Sequence, residues 1–233
     1  MFLCLLMAAA TATAAPPIDV TVGTRVPLDL GVRGRVELPG RVQVGFGVGY
    51  LPGGYVDVIN SAAQAFNAYD DATASVIRSA IKSSLVTSID AGWRPIEKRG
   101  LRFGVGYSFV ALGGDAAASD LVAAASGSEP PSEGEGGRRG GDALSYDLAA
   151  SLHLVRPEVG WTFLFGDRWV LDAGLGGLFT MSSAATVEPE FTPSAPAAQT
   201  AFTKATEVWL VETLDRYVHS PTVSVAVGMR FGG

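Results

Sequence analysis

Residues 41–50 read RVQVGFGVGY, with Val42, Val44, Phe46, Val48 and Tyr50 at even positions and Arg41, Gln43, Gly45, Gly47 and Gly49 at odd ones. Successive side chains of a β-strand point to opposite faces, so this stretch has one bulky apolar face and one small, polar one. A soluble sheet would pack the bulky face inward, whereas a membrane strand would turn it to lipid. The rest of the chain decides between them.

Composition sets the first limits. Of 233 residues, 48% are hydrophobic and 17% charged, enough apolar material for a sizeable core. No uninterrupted apolar run approaches the roughly 18 residues of a spanning helix, so any membrane crossing must use strands. A net charge of -6 leaves no basic footprint and argues against nucleic acid as a partner. Phe2 to Ala10 are apolar and Ala12-Thr13-Ala14 has the small-residue pattern of a cleavage site, which predicts an export signal over 1–14 and one mature domain over 15–233. Cys4, the sole cysteine, leaves with that signal, so the mature chain has no disulfide, thiol nucleophile or Cys-ligated metal site. Its two histidines lie far apart, and no cofactor is expected.

Alternation at period 2 recurs down the chain and predicts eight strands. The run from Ile18 to Leu38 exceeds the roughly 9 to 11 residues of a crossing strand. A turn at Pro27-Leu28-Asp29 therefore splits it into strands at 18–26 and 30–38, one long strand being the alternative. A three-residue loop there sets Val26 opposite Leu30, Thr24 opposite Val32 and Val20 opposite Val36. Pro39-Gly40-Arg41 forms the next turn, before a strand at 42–51. Further strands fall near 85–95, 101–112, 144–165, 169–180 and 222–231. Short, odd-length joins at 96–100 and 166–168 keep facing, so Phe165 and Trp169 share a side. Within 144–165 the apolar parity changes near Leu154-Val155, which predicts a bulge in that strand.

The remaining connections, 52–84, 113–143 and 181–220, are long. Helical spacing over 60–84 sets Phe66, Tyr69 and Ile77 on one stripe, and over 195–219 it sets Phe202, Trp209 and Tyr217 on another. Residues 126–142, SGSEPPSEGEGGRRGGD, have a disordered composition, with a short helix expected after Asp115.

Three features separate the two readings of the alternation. Gly45, Gly47, Gly49, Gly104, Gly106, Gly174, Gly176 and Gly228 all lie opposite the bulky face. Water sets no size limit on an outward side chain, but the interior of an eight-stranded barrel does. Trp93, Trp161, Phe163, Phe165, Trp169 and Phe231 gather at the short-turn end, and Tyr50, Tyr107, Phe109, Tyr146 and Phe179 towards the other, as two interfacial aromatic belts would. Short turns on one side and long loops on the other complete the pattern.

On these features the mature chain resembles the small eight-stranded bacterial outer-membrane proteins of the OmpA and OmpX type. Locally, VSVAVGMRF at 223–231 resembles the aromatic-ended C-terminal strand that the outer-membrane barrel assembly machinery recognises, with Gly232 and Gly233 following it. The resemblance implies an all-β fold, an antiparallel transmembrane barrel in the bacterial outer membrane. Its partners would be outer-membrane lipid and that machinery, with both termini in the periplasm.

The inward face then carries Asp19, Arg25, Arg33, Arg35, Glu37, Asp90, Arg94, Arg102, Asp147, Arg156, Glu158, Asp172 and Arg230, with Ser88, Ser108, Ser151, His153 and Ser224. Charges in so narrow a lumen must pair, which predicts a salt-bridged plug. A narrow channel for ions or small solutes is the alternative, left open by the inward glycines. Asp147, Ser151 and His153 have the residue types of a hydrolytic triad, as a lipid-modifying enzyme would need. Their span of roughly 20 Å along the strand prevents one hydrogen-bonded chain, so no enzyme is expected. A secreted soluble barrel is the other class. His219, before the last strand, is expected at a helix end. The helical stripes either cap the barrel mouth or bind an extracellular ligand or protein.

Overall fold

The computed structural model describes residues 16–57, 61, 78, 83–96, 100–117, 121, 145–166, 168–192 and 196–232. The signal segment, Phe66, Tyr69, Ile77 and residues 126–142 lie outside these.

Eight antiparallel strands form a closed barrel in sequence order: β1 (Ile18–Val26), β2 (Asp29–Leu38), β3 (Val42–Tyr50), β4 (Ser83–Trp93), β5 (Leu101–Ala117), β6 (Ser145–Phe165), β7 (Trp169–Pro189) and β8 (His219–Phe231). Helix α1 (Pro196–Tyr217) precedes β8. Strands β1 and β8 pair from Ile18↔Phe231 to Val26↔Val223 and close the ring. Closure leaves no sheet edge around the barrel wall, which a strand-built membrane crossing requires.

The run 18–38 is two strands, but their register differs from the expected one. Thr24 faces Leu30, Val22 faces Val32 and Ile18 faces Val36, so the turn is centred one residue earlier, at Pro27. Asp29 joins β2 because its carboxylate is held inside by Arg25, which it directly faces. The other short turns have the expected register, with Leu38 opposite Val42 and Phe165 opposite Trp169. Gly40 and Arg41 both take positive φ in the first of these, 82° and 66°. Glycine adopts that conformation without steric cost.

Several strands run past their expected ends. Strand β5 continues to Ala117, two residues past Asp115, with Leu121 helical beyond it as the expected short helix requires, and β7 continues to Pro189. The irregularity in the β6–β7 ladder lies where expected, between His153 and Leu154, but the extra residue is in β7. His153 faces Ser182 and Leu154 faces Thr180, leaving Met181 unpaired, so β7 rather than β6 changes facing.

Strand β6 keeps one facing throughout. Its apolar parity switches because its surroundings do. Below this level the apolar residues point outward, as with Val159 and Trp161, and above it they point inward, as with Leu148, Leu152 and Leu154. The β5–β7 sheet thus extends about eight residues, or roughly 25 Å of strand, beyond the aromatic level and has the polarity of a sheet in water.

Candidate functional site

The site is the barrel interior with the helix above its mouth. On the wall, the odd positions of β3 point in and the even ones out: Gln43 is buried, whereas Val42, Val44, Phe46 and Val48 are exposed. Every strand of the barrel carries such exposed large apolar residues, among them Val20, Val32, Phe46, Ile89, Val105, Val159, Leu175 and Val225. The interior holds the charges.

In its upper middle, Arg25 grips Asp29 with two bonds, Nε to Oδ1 at 2.7 Å and Nη2 to Oδ2 at 3.0 Å, and both residues are buried. This bidentate geometry is the strongest form of guanidinium–carboxylate pairing. Arg33 donates to the same carboxylate at 3.1 Å, and Arg25 Nη2 also donates to Ser88 Oγ at 2.9 Å. Lower down, Arg156 bonds Asp90 and donates to Ser108 Oγ at 2.9 Å, and Arg102 meets Glu158 at 2.7 Å. Arg35 crosses from β2 to Asp172 on β7 at 2.8 Å, while Thr162 donates to the other oxygen of that carboxylate at 2.6 Å. At the short-turn end, Arg94 pairs with Glu37 at 3.0 Å and Arg230 holds Asp19 at 2.7 and 2.8 Å across the closing seam.

Most of these pairs join strands distant in sequence, so they fix the ring across its lumen as well as along its wall. Inward glycines make room for them. A Cβ on Gly160 would stand 2.6 Å from Arg102 Nη2, and one on Gly106 would collide with the Arg156–Asp90 pair. Two cavities of about 10 and 20 Å³ lie among the charged groups, each close to the size of one water.

Above the charges lies an apolar layer that the sequence reading missed. Leu28, Val86, Val110, Leu112, Leu152, Leu154 and Leu178 form a buried cluster in the mouth, with Leu51, Leu214 and Val218 against it. The sequence does carry a signal for it: these residues have inward parity at the upper strand ends, where a purely charged lumen predicts polar ones. Asp29, expected in a turn, is a second lumenal residue that sequence reasoning missed.

Helix α1 lies over the inner face of the extended sheet. Leu210 is buried there with Ala116, Leu121, Tyr146, Leu148 and Val187, and Phe202 and Trp209 pack against that cluster. Glu207 accepts the backbone N–H of Val187 at 3.1 Å, and Ser183 Oγ donates to the carbonyl of Val211 at 3.3 Å. The helix therefore satisfies backbone and side-chain groups of β7 beyond its pairing with β8.

Among the belt residues, Trp93, Trp161, Trp169 and Phe231 are exposed at the short-turn end, and Tyr50, Tyr107 and Phe179 at the other. Phe109 is half-buried against His153. Tyr146 does not belong to a belt. It points inward above the lipid-facing level, buried under α1 with Phe191 and Phe202 around its ring, and accepts a bond from Gln199 at 2.8 Å.

Asp147, Ser151 and His153 are not in the lumen either. They share a face of β6, but it is the outer one, since the inner face there is apolar. His153 Nδ1 is bonded to the Tyr107 hydroxyl, and its ring sits between those of Tyr107 and Phe109 at 6.0 and 5.3 Å. The three residues form no triad. His219 opens β8 rather than ending a helix: it faces Phe179 and accepts the Thr180 backbone N–H at 3.3 Å. Among the described residues, no three His, Cys, Asp or Glu groups converge as metal ligands.

No protein-family model and no curated protein matches the sequence. Among solved structures the chain is similar to the N-terminal β-barrel domain of Pseudomonas aeruginosa OprF, at 10% identity and a TM-score of 0.39, covering 94% of this chain and all of that one. It is also similar to a major outer membrane protein from Thermus thermophilus, at 12% identity and a TM-score of 0.43, with 93% of this chain and all of that one covered. A third is Acinetobacter baumannii CarO2, at 12% identity and a TM-score of 0.40, covering 94% of this chain and all of that one. The strand register and the inverted polarity give this chain the architecture of a small outer-membrane barrel independently of these likenesses.

Proposed function

We propose that this protein is a non-enzymatic outer-membrane barrel whose lumen is closed, and whose capped outer end is the part presented to the exterior. The observation that carries this reading is the inverted polarity of the wall: Val44, Phe46 and Val48 are exposed while Arg25, Asp29 and Arg156, opposite in character, are buried. In water that distribution is unfavourable in both directions, because it hydrates the apolar groups and desolvates the charges. In a bilayer it is the stable arrangement.

Closure is supported by two successive layers. The charged groups are cross-paired with water-sized gaps between them, and the apolar cluster around Leu28 and Leu154 sits over them. A solute would have to break ion pairs in a poorly hydrated space and then pass side chains that offer it no hydrogen bond. Strand β8 and its terminal Phe231 provide the segment for the barrel assembly machinery, and the extended β5–β7 sheet with α1 provides the surface for an extracellular partner.

Planar bilayers holding the refolded protein test closure. The expected result is no discrete conductance step above the bare-lipid background. Uniform, reproducible steps would overturn the closed lumen and favour the narrow channel.

A further inference from the structure

One lumenal cavity, of about 20 Å³ and larger than its neighbour of about 10 Å³, is lined by five guanidinium groups, those of Arg25, Arg33, Arg35, Arg102 and Arg156, against the carboxylates of Asp90, Glu158 and Asp172. Asp29 adds a negative charge beside Arg25 and Arg33 but leaves one positive charge in excess. The pairs nearer the short-turn end, Arg94 with Glu37 and Arg230 with Asp19, balance one to one and cannot supply the missing charge. Three of the lining arginines, Arg33, Arg102 and Arg156, also carry a buried Nε–H without an acceptor. Arg156 is 2% exposed.

A lysine in such a place could shed its proton, but a guanidinium keeps its charge at any working pH. The excess must therefore be met by an anion. A water can accept one Nε–H, yet it leaves the charge uncompensated in a space screened from solvent. The smaller cavity has a different character. Gln43, which lines it, presents an orphaned Oε1 acceptor, and that suits a water donating a hydrogen bond.

We propose that the larger cavity binds a single monovalent anion of halide size, held by the side chains of Arg33, Arg102 and Arg156. The anion completes the ionic network and makes the stability of the barrel depend on halide. The site depends only on the lumenal network, so it stands or falls separately from the membrane assignment and from closure.

The test is thermal unfolding of the refolded protein in micelles with sodium chloride, sodium bromide or sodium gluconate at equal ionic strength. Chloride and bromide should raise the unfolding midpoint saturably, by about 3 to 5 °C at ten times the half-saturating concentration, whereas gluconate is too large to enter. Arg102→Gln removes the excess charge and should abolish the halide effect, while Lys204→Gln on the exposed face of α1 should retain it. Crystals of the unmodified protein grown in bromide should show an anomalous peak in hydrogen-bond contact with these guanidinium groups, a readout that needs no variant to fold. Equal midpoints in the three salts, a halide shift that survives Arg102→Gln, or a cavity without bromide would each overturn the proposal.

Discussion

Asp29 shows how much one side chain can decide in this interior. A sequence of Pro, Leu and Asp reads as a turn, since Pro is fixed and Asp adaptable there. The structure instead puts Asp29 into β2, because Arg25 faces it across the ladder and two buried groups of opposite charge are worth more paired than apart. Local turn propensity could not reveal that, because the partner's facing depends on the register itself. Asp29→Ala should cost about 3–5 kcal/mol in urea unfolding from micelles, since it leaves Arg25 and Arg33 charged and buried without their acceptor. Asp57→Ala breaks an ion pair of similar length, 2.5 Å to Arg78, but both partners are well exposed, at 51% and 67%. It should change stability by no more than about 1 kcal/mol. Equal losses in the two variants would contradict the role given to burial.

At the scale of elements, strand existence was legible throughout, because period-2 alternation survives any change of surroundings. What alternation cannot show is which face is wet. The upper halves of β5, β6 and β7 have the same period as the lower halves with the opposite polarity, and a sequence reader meets that as a change of phase. A bulge in β6 is the simplest account of such a change, yet β6 is regular and the extra residue is Met181 in β7. The Asp147, Ser151 and His153 assignments failed for the same reason, since parity was carried across the level at which the sheet leaves the lipid.

Helix α1 was legible from its stripe, while its docking place was not, because the apolar face that receives it lies on strands expected to have ended. Deleting Met181 should remove the bulge and leave every β6 partner in place, so that Ser183, Ala185 and Val187 stay opposite Leu152, Ala150 and Leu148 and keep facing α1. The expected outcome is an intact barrel whose helix segment is cut no faster than in the parent protein by limited proteolysis. Much faster cleavage of α1 would show that the bulge itself, rather than the β6–β7 register, sets its docking.

For the whole molecule, the claims converge on the environment of the outer wall. Val44 is 43% exposed in the middle of β3. If that wall faced water, Val44→Arg would be close to neutral. Facing lipid near the bilayer midplane, it should cost about 2–4 kcal/mol in vesicle refolding, while the same change in detergent micelles costs less. The ring of exposed Val, Ile, Leu and Phe and the two aromatic levels were readable from residues 41–50 and their counterparts. The apolar stopper and the watery extension above it were not.

The most direct test is fractionation of the expressing cells followed by electrophoresis of boiled and unboiled samples. A closed membrane barrel predicts recovery in the outer-membrane fraction, release by detergent but not by salt, and a band that migrates faster before boiling than after. Recovery in the soluble periplasmic fraction, with one mobility whether or not the sample is boiled, would contradict it.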